Sequence, residues 1–123
     1  MGMKLFDNTL TLLERAMDVR LSRQGLLSSN AANIDTPGFK EKDLDFKEAI
    51  AGALRGGGEG VEGAVKGATH EVEGAVAGLD GNSVDLDRTM VALAENGLQY
   101  GTAARAAGKK LAILKYVAND GIG

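Results

Sequence analysis

The chain has 123 residues, with 14 basic and 17 acidic side chains for a net charge of −3, and its apolar residues include only 3 Phe, 2 Tyr and no Trp. That length predicts one small domain with a modest core, and the acidic balance excludes the basic field that a nucleic-acid binder presents. With no cysteine in the chain, disulfides, thiolate metal sites and cysteine nucleophiles are excluded together.

Lys4 is followed by Asp7 and Glu14, and no apolar stretch ends in small residues, so a cleaved secretory signal is not expected. No run reaches the length of a membrane span. Leu5 to about Ala32 predicts one long helix. Phe6, Leu10, Leu13 and Met17 follow 4-3-4 spacing down one face, and Leu5, Leu12, Ala16, Val19 and Leu26 form a second stripe beside it. Two stripes on one helix predict partners on two sides.

Pro37 ends that helix, because it lacks an N–H and disfavours helical geometry at Thr36. The stretch Asn33-Ile34-Asp35-Thr36-Pro37-Gly38-Phe39 is dense in turn formers. Pro37-Gly38 suits the centre of a type II turn with Gly38 at positive φ. Asn30 and Asn33 are expected to bond the carbonyls left open at the helix end. A short second helix is predicted over 43–50, with Asp43 or Asp45 as its N-cap.

Ten of the 18 glycines fall between Gly52 and Gly81, which sets a glycine-rich middle apart from two helical arms. Within it Val61-Glu62-Gly63-Ala64-Val65-Lys66-Gly67 recurs as Val72-Glu73-Gly74-Ala75-Val76-Ala77-Gly78. Each copy reads as a weak strand, the pair forming a hairpin, or the segment is disordered for want of large side chains.

The C-terminal arm carries the clearest pattern. Leu86, Met90, Leu93, Gly97, Tyr100, Ala104, Ala107, Leu111, Leu114 and Ala118 alternate in steps of four and three, an a/d seam on one long helix. The seam is small at its centre, where another backbone can approach closely. It is expected to serve twice, pairing the arms within the chain and facing neighbours with what is left over. The fold expected is therefore mainly α: long N- and C-terminal helices packed as a coiled-coil-like pair, joined by a Gly-rich irregular or β-hairpin segment. The divisions expected are 1–50, 51–83 and 84–123.

The inventory for catalysis is poor. Gly58-Glu59-Gly60-Val61-Glu62-Gly63 matches GxGxxG, but no strand pattern precedes it and its two glutamates repel a pyrophosphate. His70 is the sole histidine and reads as a solvated loop residue. Asp43/Asp45 and Asp85/Asp87 flank helix starts, where capping explains them. No enzyme activity, cofactor, metal or small-molecule substrate is expected.

Ser28-x-Asn30-x-Ala32-Asn33-x-x-Thr36-Pro37-Gly38-Phe39-Lys40 resembles the signature of bacterial flagellar rod and hook proteins, in which an N-terminal helix runs into an Asn-rich turn. Asn30, Ala32, Asn33, Thr36, Pro37, Gly38 and Phe39 all match. Asp43-Leu44-Asp45-Phe46-Lys47 and the arm from Leu86-Asp87-Arg88-Thr89-Met90 through Asn96, Tyr100 and Lys109-Lys110-Leu111 resemble the proximal-rod branch of the basal-body rod family.

The resemblance implies a structural subunit of the basal-body rod that contributes to motility. It implies export through the flagellar type III apparatus without a cleaved signal, and assembly through the terminal helices. The partners implied are other rod proteins, the base of the rod at the membrane ring, further copies of the chain and the export apparatus. An alternative is a small cytoplasmic coiled-coil adaptor or secretion chaperone. That reading accounts for the helices and the acidity but not for the Thr-Pro-Gly-Phe turn between two arms.

Overall fold

Two long helices frame the molecule in a computed structural model that describes residues 2–56, 60–72 and 85–119. Helix α1 spans Gly2–Ala32 and helix α4 spans Leu86–Asn119, about 47 and 51 Å long at 1.5 Å per residue. Between them come β1 (Lys42–Leu44), α2 (Phe46–Arg55), α3 (Gly60–Ala68) and β2 (Thr69–Glu71). The fold is mainly α, with the long terminal helices packed on each other as expected.

The two arms run antiparallel. Arg88, in the first turn of α4, is paired with Glu41, just beyond the end of α1. Asn96, further along α4, meets Arg20 and Gln24 in the middle of α1. Asp85 opens α4 by accepting a bond from the backbone N–H of Arg88 (3.1 Å), a capping arrangement that satisfies a donor with no partner inside the helix.

The core lies where the second half of α1 meets the short elements. Val19, Leu44, Ala49 and Ala68 form its buried centre, with Leu26, Phe46, Ile50, Val61 and Val65 packed around it. Phe46, Ala49, Ile50 and Ala53 recur at helical spacing along α2 and turn one face inward. Asp45, not Asp43, is the N-cap, accepting from the Glu48 N–H at 3.0 Å. Gly56 closes the helix at φ 74° and ψ −168°, a backbone conformation open to glycine because it has no Cβ.

The first repeat copy, Val61–Gly67, is helical rather than a strand. Val61, Val65 and Ala68 sit at i, i+4 and i+7, so a helix places all three against the core, where a strand would split them between faces. Tertiary burial outweighs the poor helix propensity of Gly63 and Gly67. All but Val72 of the second copy, and the first two residues of the GxGxxG match, lie outside the described residues.

Helices α2 and α3 meet closely at Gly52, where a Cβ atom would stand 3.0 Å from that of Ala64. Gly52→Val is therefore expected to destabilise the protein by about 1–3 kcal/mol through overpacking, read as a lower urea midpoint. An unchanged midpoint would show that α2 and α3 separate without cost.

Strands β1 and β2 pair antiparallel, with Lys42 opposite Glu71, Asp43 opposite His70 and Leu44 opposite Thr69. His70 thus belongs to a strand rather than a loop, though it is exposed as expected. Neither Lys-Asp-Leu nor Thr-His-Glu has strand character alone. The two are held together because α3 ends beside β1, where the Asp45 N–H donates to the Ala68 carbonyl at 2.9 Å.

Candidate functional site

The segment that carries the family-like turn forms a joint between α1 and the ribbon. Asn33 binds the helix end as expected, its Nδ2 donating to the Ser29 carbonyl at 2.8 Å. Thr36 donates its hydroxyl to Asn33 Oδ1 at 2.9 Å. The Phe39 N–H donates back to the Thr36 carbonyl at 3.2 Å, and Gly38 adopts φ 77°, the geometry that a glycine at the third position of a type II turn supplies. Pro37 is exposed, Ala32 is exposed on the last turn of α1, and Phe39 is half-buried.

Asn30 does something other than cap the helix. Its side chain is 1% exposed and bonds both backbone groups of Lys42: Nδ2 donates to the Lys42 carbonyl (2.7 Å) and the Lys42 N–H donates to Oδ1 (3.1 Å). Glu41 and Asp45 turn backbone groups toward the β2 side, where the Val72 N–H meets the Glu41 carbonyl at 2.9 Å. In a strand alternate residues face opposite ways, so Lys42 points the other way and Asn30 occupies the place of a third strand.

Two ion pairs tighten the joint. Arg23 reaches Asp43 with two bonds, Nε to Oδ1 at 2.8 Å and Nη2 to Oδ2 at 3.0 Å. Arg88 pairs with the buried Glu41. Arg20 stacks 3.6 Å above the Phe46 ring. Burial pushes the Glu41 carboxyl above its ordinary range, opposed by Arg88 and reinforced by Asp85 and Asp43. Burial also pushes Asp43 up, but the hydrogen bonds from Arg23 and the Leu44 N–H, with the charges of Arg23 and His70, hold it below its usual value.

A carboxylate whose folded pKa is depressed contributes stability that is present above its unfolded pKa and lost as pH falls through the folded one. Asp43→Asn is expected to cost about 1–3 kcal/mol at pH 7, and the gap from the parent should close as pH drops below the ordinary carboxylate range near ~4. Urea unfolding at neutral and acid pH measures it. A gap that stays constant into acid would remove the pair from the account.

The seam residues of α4 divide between two faces. Thr89, Asn96 and Ala107 are buried, and Leu93, Ala104 and Leu114 are half-buried. Leu86, Met90, Gly97, Tyr100, Leu111 and Ala118 are exposed. The line that meets α1 therefore runs beside the expected one, sharing Leu93 and Ala107, and two of its members are the polar Thr89 and Asn96. On α1, Val19 and Leu27 are buried, while Leu5, Leu12 and Leu21 stay exposed.

Polar side chains at this interface were the signal that apolar periodicity passed over. Thr89 bonds its own helix at the Asp85 carbonyl (2.7 Å). Asn96 is 0% exposed, and its Nδ2 donates to the Arg20 carbonyl and to Gln24 Oε1, both at 2.7 Å. Beside it a groove of about 210 Å³ opens between the arms, lined by Arg20, Leu21, Gln24, Asn96, Gly97 and Tyr100.

Among the described residues no group of His, Cys, Asp and Glu could hold a metal ion, and no helix is long and apolar enough to cross a membrane. The arrangement can brace two helices and offer apolar surface along their flank.

Known proteins resemble the chain over most of its length. It is 32% identical over 113 residues to the flagellar basal body rod protein FlgB of Yersinia enterocolitica, covering 78% of this chain and 82% of that protein. It is 32% identical over 109 residues to FlgB of Aeromonas hydrophila, with 79% and 82% covered. FlgB of Escherichia coli K12 is 28% identical over 111 residues, with 76% and 80% covered. No family model matches.

Proposed function

The chain belongs to the FlgB family of flagellar basal body rod proteins, and from that premise we propose that it builds the proximal rod through its two terminal helices after export by the flagellar type III apparatus. It is a structural subunit of the basal-body rod and not an enzyme. Its place is the basal body, among other rod components.

The observation that carries the proposal for the helices is apolar surface left over once the arms have paired. Leu5, Leu12 and Leu21 on α1, with Met90, Val91, Leu98, Leu111, Ile113 and Tyr116 on α4, all remain exposed. Apolar exposure spread along both arms marks surface that awaits partners. In this reading the ribbon with α2 and α3 braces one end of the helix pair, the turn from Asn33 to Phe39 sets the angle at which the chain leaves α1, and the seam residues turned away from α1 meet neighbouring subunits.

The test is a functional tagged chain that replaces the host's own copy, followed by purification of basal bodies. The chain is expected in the purified rod, and its deletion is expected to abolish motility. Recovery only in the cytoplasm, bound to export cargo, would favour an adaptor or chaperone instead.

A further inference from the structure

Asn96 is the one asparagine of the chain that is followed by glycine, and an Asn-Gly pair carries a reaction of its own. The glycine backbone nitrogen attacks the asparagine side-chain carbon Cγ. The new N–Cγ bond closes a succinimide ring, and the Cγ–Nδ2 bond breaks with release of ammonia. Water then opens the ring at either carbonyl and leaves aspartate or isoaspartate. Glycine favours the closure because no side chain hinders the nitrogen or restricts its backbone.

The fold holds this pair unreactive. Gly97 lies inside α4, so its N–H is spent in the helical ladder, and a helical ψ of about −42° keeps its nitrogen away from the side-chain carbon. Asn96 is 0% exposed, which bars the water and hydroxide that the reaction consumes. Its Nδ2, the leaving group, donates to the Arg20 carbonyl and to Gln24 Oε1, both at 2.7 Å. Both acceptors belong to α1, so the leaving group is tethered to the opposite arm. Parting the arms removes the tether and admits water together.

We propose that Asn96-Gly97 is a deamidation site gated by the pairing of α1 with α4: protected while the arms are packed, reactive when they part, and once reacted unable to restore the packing. Isoaspartate carries the main chain through the former side chain, and the added methylene breaks the hydrogen-bond ladder of α4. Aspartate keeps the ladder but loses both amide hydrogens. Gln24 can turn its amide to donate to the new carboxylate, but the Arg20 carbonyl loses its side-chain donor and a charge is buried. The gate stands on the arm pairing alone. Its consequence in the cell rests on the reading of the chain as a rod subunit exported before its arms pair: the reaction marks copies kept waiting with their arms apart.

Full-length protein is incubated at mildly alkaline pH in buffer and in guanidinium chloride. Product at position 96 is followed by mass spectrometry of the tryptic peptide Thr89–Arg105, which holds no other asparagine. The parent should react at least about 10-fold more slowly in buffer than in denaturant, a ratio set by how seldom the arms open. Gly97→Ala fits α4, since nothing lies within 4 Å of the added Cβ. It should slow the reaction in denaturant about 10-fold or more by hindering ring closure. Gln24→Ala removes one tether, and Ala107→Phe pushes the arms apart about three turns further along α4. Both leave the sequence around Asn96 intact, so both should raise the rate in buffer at least about 3-fold and leave the rate in denaturant unchanged. Asn96→Asp, and the reacted parent refolded by dilution, should lose helical signal at a lower temperature than the intact parent.

No product in denaturant, equal parental rates in buffer and denaturant, or parental rates in buffer for both Gln24→Ala and Ala107→Phe would each overturn the gate. Parental thermal unfolding of Asn96→Asp and of the refolded product would overturn its one-way character. In cells, chains from purified basal bodies should carry less product than chains held in the cytoplasm by a block in export, and equal fractions would overturn the marking of waiting copies. Absence of the chain from basal bodies would overturn the rod reading and leave the gate standing.

Discussion

Asn30→Leu is expected to lower the unfolding free energy by about 2–3 kcal/mol, because one side chain holds both backbone groups of Lys42. Two bonds are lost at about 1 kcal/mol each, and the strand groups they satisfied are left beside an apolar side chain, which adds a desolvation cost. Leucine keeps the branching of asparagine but is bulkier, so at this buried position overpacking adds to the loss, and the exchange of the Lys42 amide isolates the hydrogen bonds. Asn30→Asp is a sharper probe. A carboxylate still accepts from the Lys42 N–H but faces the Lys42 carbonyl with no donor, so it should also destabilise at neutral pH. Denaturant unfolding gives the magnitude, and hydrogen exchange at the Lys42 amide locates it. If that amide stays as protected in Asn30→Leu as in the parent, the side chain is not serving as the third strand.

Ala107→Phe and Ala104→Phe are expected to differ, although both positions fall on the same heptad seam. Ala107 is 8% exposed at the line where α4 meets α1, and a phenyl ring there must push the arms apart. Overpacking of this kind typically costs about 1–3 kcal/mol, and the antiparallel pair should lose helical signal at a lower temperature. Ala104 is half-buried, at helical spacing from the exposed Gly97 and Tyr100. Phenylalanine there can turn outward, so the isolated chain should keep nearly parental stability while incorporation into basal bodies falls. Thermal unfolding followed by circular dichroism, with basal-body recovery, separates the two effects. Equal loss of stability in both variants would mean that the whole seam faces α1 and leaves none for neighbours.

The two arms were legible in the amino-acid order because helical periodicity is local. Leu86 to Ala118 keeps its 4-3 rhythm whatever it packs against, and the bounds of α4 follow it closely. The end of α1 before Pro37 and the positive φ of Gly38 were legible for the same reason, since proline and glycine restrict or free the backbone wherever they stand. The Asn-rich turn also carried the family, which the similarity to FlgB proteins supports.

Tertiary structure decided what depends on residues distant in the chain. Lys-Asp-Leu and Thr-His-Glu become strands only because α3 returns the chain to β1 and Asn30 closes the other edge. Val61–Gly67, β-branched and glycine-rich, becomes a helix because that conformation brings Val61, Val65 and Ala68 onto a shared core. Asp43 looked like a cap and is an ion-pair partner, because Arg23 stands across from it, twenty positions earlier. The seam of α4 was visible as a stripe, but which part meets α1 was set by the rotation of one helix against the other. That rotation puts Thr89 and Asn96 inside and leaves Met90, Gly97 and Leu111 outside. Periodicity identifies a helix and a stripe along it; the packing of two rigid helices, with hydrogen bonds made to buried polar groups, selects which neighbouring line is buried.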